Sequence, residues 1–204
     1  MGEIKVTGTP VTYGEGATRN TKEGKGRFDL IPPTPFIYLE MIFRGAISMD
    51  MLAEEPTTAC AYSKIMNHSD DPTILAQAMV EIMMIRERSW TLDEFVEGDC
   101  WADTMKKLAI HFENGAKIYG ERNCEKGIPA WSFKDSCLRH FSQWINREDD
   151  EDHYIATIWN LWMLIWTVAK PKENVNPGVK TDVSEVDIVE ILKNIFGGAS
   201  DKKE

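Results

Sequence analysis

The stretch His153-Tyr154-Ile155-Ala156-Thr157-Ile158-Trp159-Asn160-Leu161-Trp162-Met163-Leu164-Ile165-Trp166-Thr167-Val168-Ala169 decides the fold. From Tyr154 to the end it carries no charge, which reads as a helix buried in a core or a subunit interface. It is shorter than the roughly 20 apolar residues a membrane span needs, and Asn160 interrupts it. Asp152 can cap its start, and Lys170-Pro171 ends it. Trp159, Trp162 and Trp166 recur at helical spacing, a pattern of core or oligomer packing rather than ligand stacking.

Working back from this helix, Glu148-Asp149-Asp150-Glu151-Asp152 is an acidic connector. Before it, a helix capped by Ser132 runs to about residue 147. The short connector makes the two helices an antiparallel hairpin, which sets Asn160 near the level of Arg139 and His140. Further upstream a helix opens at Asp99 or Cys100 and is stopped by Gly120 after Tyr119. Gly115 lies inside it at a cost of about 1 kcal/mol relative to Ala, which implies that something packs against it. Asp71-Pro72 opens a helix over residues 73–88, and a weak helix is expected over 60–66. Thr91-Leu92-Asp93-Glu94 has capping-box spacing for a short helix. Thr34 can cap a helix over residues 35–54, with Phe36, Leu39, Phe43, Ile47 and Met51 near one face. Residues 1–26 read as an extended arm, 172–182 as a linker and 183–196 as a terminal amphipathic helix. No strand signal appears, so the expected class is all-α, in one domain spanning residues 1–204.

Hydrophobic residues make up 43% and charged residues 27% of the chain, enough for one sizeable core. The net charge of -10 argues against nucleic acid polymers and anionic membranes as partners, because such polyanions repel it. It does not exclude a small phosphorylated ligand, which needs only a few local cations. The cysteines at 60, 100, 124 and 137 form neither a C-x-x-C pair nor a zinc spacing. No apolar segment marks the N-terminus as a leader, so free thiols in the cytoplasm are the expectation.

Four groupings carry possible chemistry. In Gly24-Lys25-Gly26-Arg27, glycines let amides approach an anion, while Lys25 and Arg27 add charge; a solvated loop is the alternative. Where the helix that opens at Asp99 or Cys100 stops, Tyr119 offers a stacking ring, Arg122 a phosphate fork and Asn123 an amide for a base edge. Glu113 and Lys117 are spaced as a helix-surface ion pair. Asp135 and Arg139 share one helix face, and His153 and Asn160 share another. Asn160 must find a partner or face a cavity, and structural hydrogen bonding is its plainer explanation. The acidic connector can relieve its own repulsion by holding magnesium, or can be a plain surface turn.

These residues resemble phage and bacterial proteins that carry the dATP/dGTP diphosphohydrolase N-terminal domain. The family pattern runs G-K-G-R-F/Y-D-L-I-P-P, H-F-E-x-G-A-K-x-Y-G-x-R-N-W-E-K-G, D-S-x-L-R-H and D-E-D-H…W-N. It is matched here over residues 24–33, 111–127, 135–140 and 150–160. Cys124 stands where the family usually has Trp. Residues 36–105 separate pieces that lie closer together in typical members. The resemblance thus implies a helical bundle with an extended N-terminal arm and glycine-rich basic loop at 1–35. A helical insertion at 36–105, able to lid the site or build an oligomer interface, is followed by a motif-bearing core at 106–170. A linker and terminal helix at 171–204 complete the chain.

The resemblance also implies cleavage of a purine deoxynucleoside triphosphate to monophosphate and pyrophosphate in the host cytoplasm. On that reading Mg2+ or Mn2+ is held by Glu148, Asp149 and Asp152. Lys25, Arg27, Lys117, Tyr119, Arg122, Asn123, Lys126, Arg139 and Asn160 hold the nucleotide. His140, His153 and Glu113 are the catalytic candidates. The rival expectation needs no metal: a viral protein that sequesters a nucleotide, such as an immune second messenger, without cleaving it. A homo-oligomer is expected in either case.

Overall fold

The computed structural model describes residues 11–12, 18–19, 23–44, 56–87 and 100–170. The expected short helix at 91–94, the linker and terminal helix after 170, and positions Ile47 and Met51 lie outside them. Among the described residues are six helices: α1 Thr34–Phe43, α2 Thr58–Asn67, α3 Pro72–Glu87, α4 Cys100–Tyr119, α5 Ala130–Ile145 and α6 His153–Val168. Short 3-10 turns occupy Phe28–Leu30 and Asn123–Glu125. In the arm, Val11–Thr12 and Thr18–Arg19 form a minimal antiparallel ladder. The class is all-α, and no described helix is long and apolar enough to cross a membrane.

Two helices are buried nearly all round and form the centre. In α6 every residue from His153 to Ile165 is buried except half-buried Trp159. In α3 the run Leu75 to Met84 is continuously buried, and α3 packs on α6. Each fully buried Leu, Ile or Met stabilises by roughly 1.5–3 kcal/mol, so these two helices dominate the core. The segment 36–105 thus supplies core as well as surface. Caps behave as the sequence implies at two starts. Asp152 Oδ1 accepts from the Ile155 amide at 3.1 Å, and Asp71 Oδ1 from the Thr73 amide at 2.8 Å. Two polar groups of α6 bond within the helix: Asn160 Nδ2 donates to the Ala156 carbonyl at 2.8 Å and Thr157 Oγ1 to the His153 carbonyl at 2.7 Å. Trp162 Nε1 donates to the Pro32 carbonyl at 3.0 Å, which pins the end of the N-terminal loop across α6.

Three local expectations change. Helix α1 closes at Arg44, whose amide bonds back to the Glu40 carbonyl, well short of residue 54. Thr34 and Ser132 are not caps, because Pro33 and Pro129 hold those positions and no side chain caps either helix. A proline fixed near helical φ starts a helix without that help. The register of the α5–α6 hairpin also shifts. His140 faces His153, and Cys137 faces the Thr157 carbonyl, so the chain reverses near Asn146 and Arg147. Arg147 takes a left-handed conformation, φ 61, which makes the turn sharp. The acidic run therefore already climbs back beside α5, and Asn160 sits beyond the level of Arg139.

Candidate functional site

The glycine loop is docked on α4. The Gly24 and Gly26 amides donate to Glu113 Oε1 and Oε2 at 2.8 and 2.9 Å, and the Arg27 amide donates to the Ala109 carbonyl at 3.0 Å. The amides thus point at an anion as the sequence implies, but the anion is the chain's own carboxylate. Glu113 is buried there, with Lys117 Nζ 2.9 Å away. The amide of Gly24, then Lys117, hold its pKa below the ordinary glutamate value. A depressed folded-state pKa adds stability that is complete above the unfolded value and is lost as pH falls through the folded one. Glu113→Gln, which removes one acceptor oxygen and the charge facing Lys117, is expected to cost about 1–3 kcal/mol at neutral pH. That gap should narrow as melts are repeated at pH values falling below the usual glutamate range. A gap that stays constant with pH would show that the charge on Glu113 is not what holds the loop.

Most of the expected phosphate cations already have partners. Arg27 reaches Asp29 and Glu121, each at 2.7 Å, which raises its pKa further. Arg122 spans Glu125 at 2.8 Å and the Asp29 carbonyl at 3.0 Å, from a left-handed backbone position. Arg139 is exposed and touches Gln143 at 3.3 Å, and Lys25 and Lys126 are exposed.

Beside these groups lies a cavity of about 370 Å³, lined by Leu30, His111, Phe112, Gly115, Ala116, Tyr119, Gly120, Arg122, Asn123, Cys124, Ile128 and Trp159. Its walls are mainly apolar and aromatic, with Arg122 and Asn123 as polar members, the usual make-up of a small-molecule site. A Cβ on Gly115 would meet nothing within 4 Å. Nothing packs against that glycine, contrary to the expectation; its missing side chain leaves the cavity open. Tyr119, Arg122 and Asn123 converge here as their spacing implied. His111 and Trp159, whose rings lie 5.4 Å apart, were not chosen from sequence as ligand-binding residues. Burial holds the His111 pKa below the ordinary imidazole value. Trp159 has its indole N–H buried without a hydrogen-bond partner. Cys124 lies in the wall, and burial raises its thiol pKa. Asn160 is buried but does not line this cavity.

Asn123 precedes the α5–α6 hairpin and Trp159 lies on its second helix, yet they share this wall. Residues 100–176 match the family model of the dATP/dGTP diphosphohydrolase N-terminal domain. This diphosphohydrolase-like segment contains every lining residue of the cavity except Leu30. Nothing among curated proteins or solved structures matches the chain.

At the turn end of the α5–α6 hairpin the diphosphohydrolase-like segment also brings together two buried histidines. His140 Nδ1 and His153 Nδ1 are 3.1 Å apart, and Glu151 Oε1 lies 3.1 Å from the first and 3.4 Å from the second. His153 Nε2 donates to Asp150 Oδ1 at 2.7 Å, which lowers the Asp150 pKa. The carboxylates expected to hold magnesium do not gather in this way. Asp152 caps α6, Glu148 accepts from Gln143 Nε2 at 3.0 Å, and Asp149 is exposed. Glu113 is engaged under the glycine loop. Among the described residues the close ligand groupings are His140–Glu151–His153 and Glu148–Asp150–His153.

Proposed function

We propose that the cavity binds a purine nucleotide and that the chain is a phosphoanhydride hydrolase. Water adds at the α-phosphorus, the bond to the bridging oxygen breaks, and pyrophosphate leaves from a nucleoside triphosphate. The observation that carries this reading is the cavity itself. It has aromatic walls from His111, Tyr119 and Trp159 and a polar rim from Arg122 and Asn123, inside the diphosphohydrolase-like segment. Stacking on rings suits a base, and Arg122 is placed for a phosphate if it exchanges Glu125 for the ligand. No step is assigned to magnesium, because the oxygen ligands it prefers are not assembled among the described residues. Incubation with dATP or dGTP and a panel of divalent ions, followed by product separation, should yield monophosphate and pyrophosphate.

The sequestering alternative draws on one observation. The cavity is mainly apolar, and Arg27, Lys117 and Arg122 are already paired. A nucleotide recovered intact after tight binding, with no turnover of any common triphosphate, would establish it in place of hydrolysis. Both readings share one expected result. Gly115→Phe fills the cavity and should weaken nucleotide binding at least tenfold while the helices persist. Gly115→Ala should bind normally and gain up to about 1 kcal/mol of stability. Unchanged affinity in the phenylalanine variant, read by calorimetry, would move the ligand elsewhere.

A further inference from the structure

We propose that His140, His153 and Glu151 form a site for a zinc-class transition-metal ion. The argument is geometric. Bonds of about 2.0–2.1 Å in a tetrahedral shell place ligand atoms about 3.3 Å apart. The three ligand atoms here are separated by 3.1, 3.1 and 3.4 Å. One ion just above their plane would lie within bonding distance of all three.

Proton bookkeeping points the same way. A carboxylate only accepts, so the bond to Asp150 fixes the His153 proton on Nε2. The lone pair on His153 Nδ1 then faces His140 Nδ1. One proton on His140 Nδ1 can serve either that lone pair or Glu151, but not both fully. A cation serves all three ligand atoms together. The contact from His153 Nε2 to Asp150 is the outer-shell bond that metal-bound histidines usually make, fixing the tautomer and the ring. Both rings are held in place by burial, since His140 and His153 are 8% and 2% exposed.

Two imidazole nitrogens and one carboxylate suit zinc, cobalt or nickel better than magnesium, which prefers oxygen. Three protein ligands also leave a fourth position open, as in zinc sites that act on a bound water rather than only brace a fold. His111, which lines the cavity, lies within electrostatic range of Glu151 and Asp152. The metal assignment does not rest on the nucleotide reading, and its test contains no nucleotide.

The test uses the full chain, stripped with chelator and titrated with zinc chloride in calorimetry, with metal content measured by mass spectrometry after dialysis. About one equivalent should bind, and cobalt in its place should give the visible absorption of a four-coordinate ion. Asp150→Asn should weaken zinc binding about 10- to 100-fold. Glu151→Gln removes a ligand and should weaken it more, and His140→Ala should abolish the cobalt bands. Glu151 and Asp150 are both exposed, so their variants keep the fold even if the His140 variant does not. Circular dichroism checks this. Absence of stoichiometric zinc binding, or binding unchanged in Glu151→Gln and Asp150→Asn, would overturn the proposal.

Discussion

Lys64→Met will destabilise the protein by about 3–5 kcal/mol, the usual cost of stripping one partner from a buried ion pair. Lys64 Nζ bonds Glu81 Oε1 between α2 and α3, and the Glu81 side chain is fully buried in the centre of the bundle. The methionine fills much of the volume of the lysine stem, so the loss comes from the carboxylate left without that ammonium rather than from a cavity. Adding Glu81→Gln removes the charge and should recover a large part of the loss. Denaturant melts of the two single variants and the double variant form a cycle that reads the coupling directly. If the double variant is as unstable as the sum of the singles, the pair carries no coupling and the argument fails.

The second large effect is expected at Gly26. Its φ is +84, and a Cβ there would lie 2.7 Å from Ala109 Cβ and 3.0 Å from two backbone atoms of α4. Backbone atoms of a helix cannot yield as a flexible side chain does. Gly26→Ala therefore combines left-handed strain of about 1–2 kcal/mol with a clash that lifts the loop off α4. The total should reach about 2–4 kcal/mol. Gly24 is the internal control. It too has a positive φ, +72, but nothing lies within 4 Å of its Cβ position. Gly24→Ala should show the strain alone. Equal melting shifts in the two variants would mean that the contact with Ala109 contributes nothing.

The helices were legible because their signals are local. Asp152 and Asp71 are read as caps from sequence and act as caps, and Gly120 stops α4 with φ +87 where its position implied. The buried status of α6 follows from its composition alone. What sequence could not supply was the three-dimensional register. Counting from the acidic connector set Asn160 opposite His140, whereas the left-handed Arg147 moves the reversal toward α5 and sets His153 there instead. That one shift turns two histidines and Glu151 into neighbours and leaves Asn160 bonded within its own helix. Glu113 illustrates the same limit. Its i,i+4 partner Lys117 was visible in the spacing, but the two glycine amides lie 89 and 87 residues away. The cavity was half legible. Tyr119, Arg122 and Asn123 are close in sequence and His111 shares a face of α4 with Tyr119, while Trp159 reaches the cavity only through the packing of α6 on α4.

The carboxylate of Glu113 has a kinetic and thermodynamic consequence for any ligand that approaches the glycine loop. Gly24 and Gly26 present two amides in the manner of an anion nest, and those amides are already occupied. For an incoming anion Glu113 would be a tethered competitor, at the millimolar effective concentration typical of groups joined through a chain. A phosphate in free solution must displace it and leave a buried negative charge behind, so weak anions are rejected. A ligand anchored elsewhere by its base would meet the loop at a comparable effective concentration. On the proposed nucleotide reading, the loop would discriminate between a free phosphate and one delivered on a bound nucleotide, through competition rather than through shape.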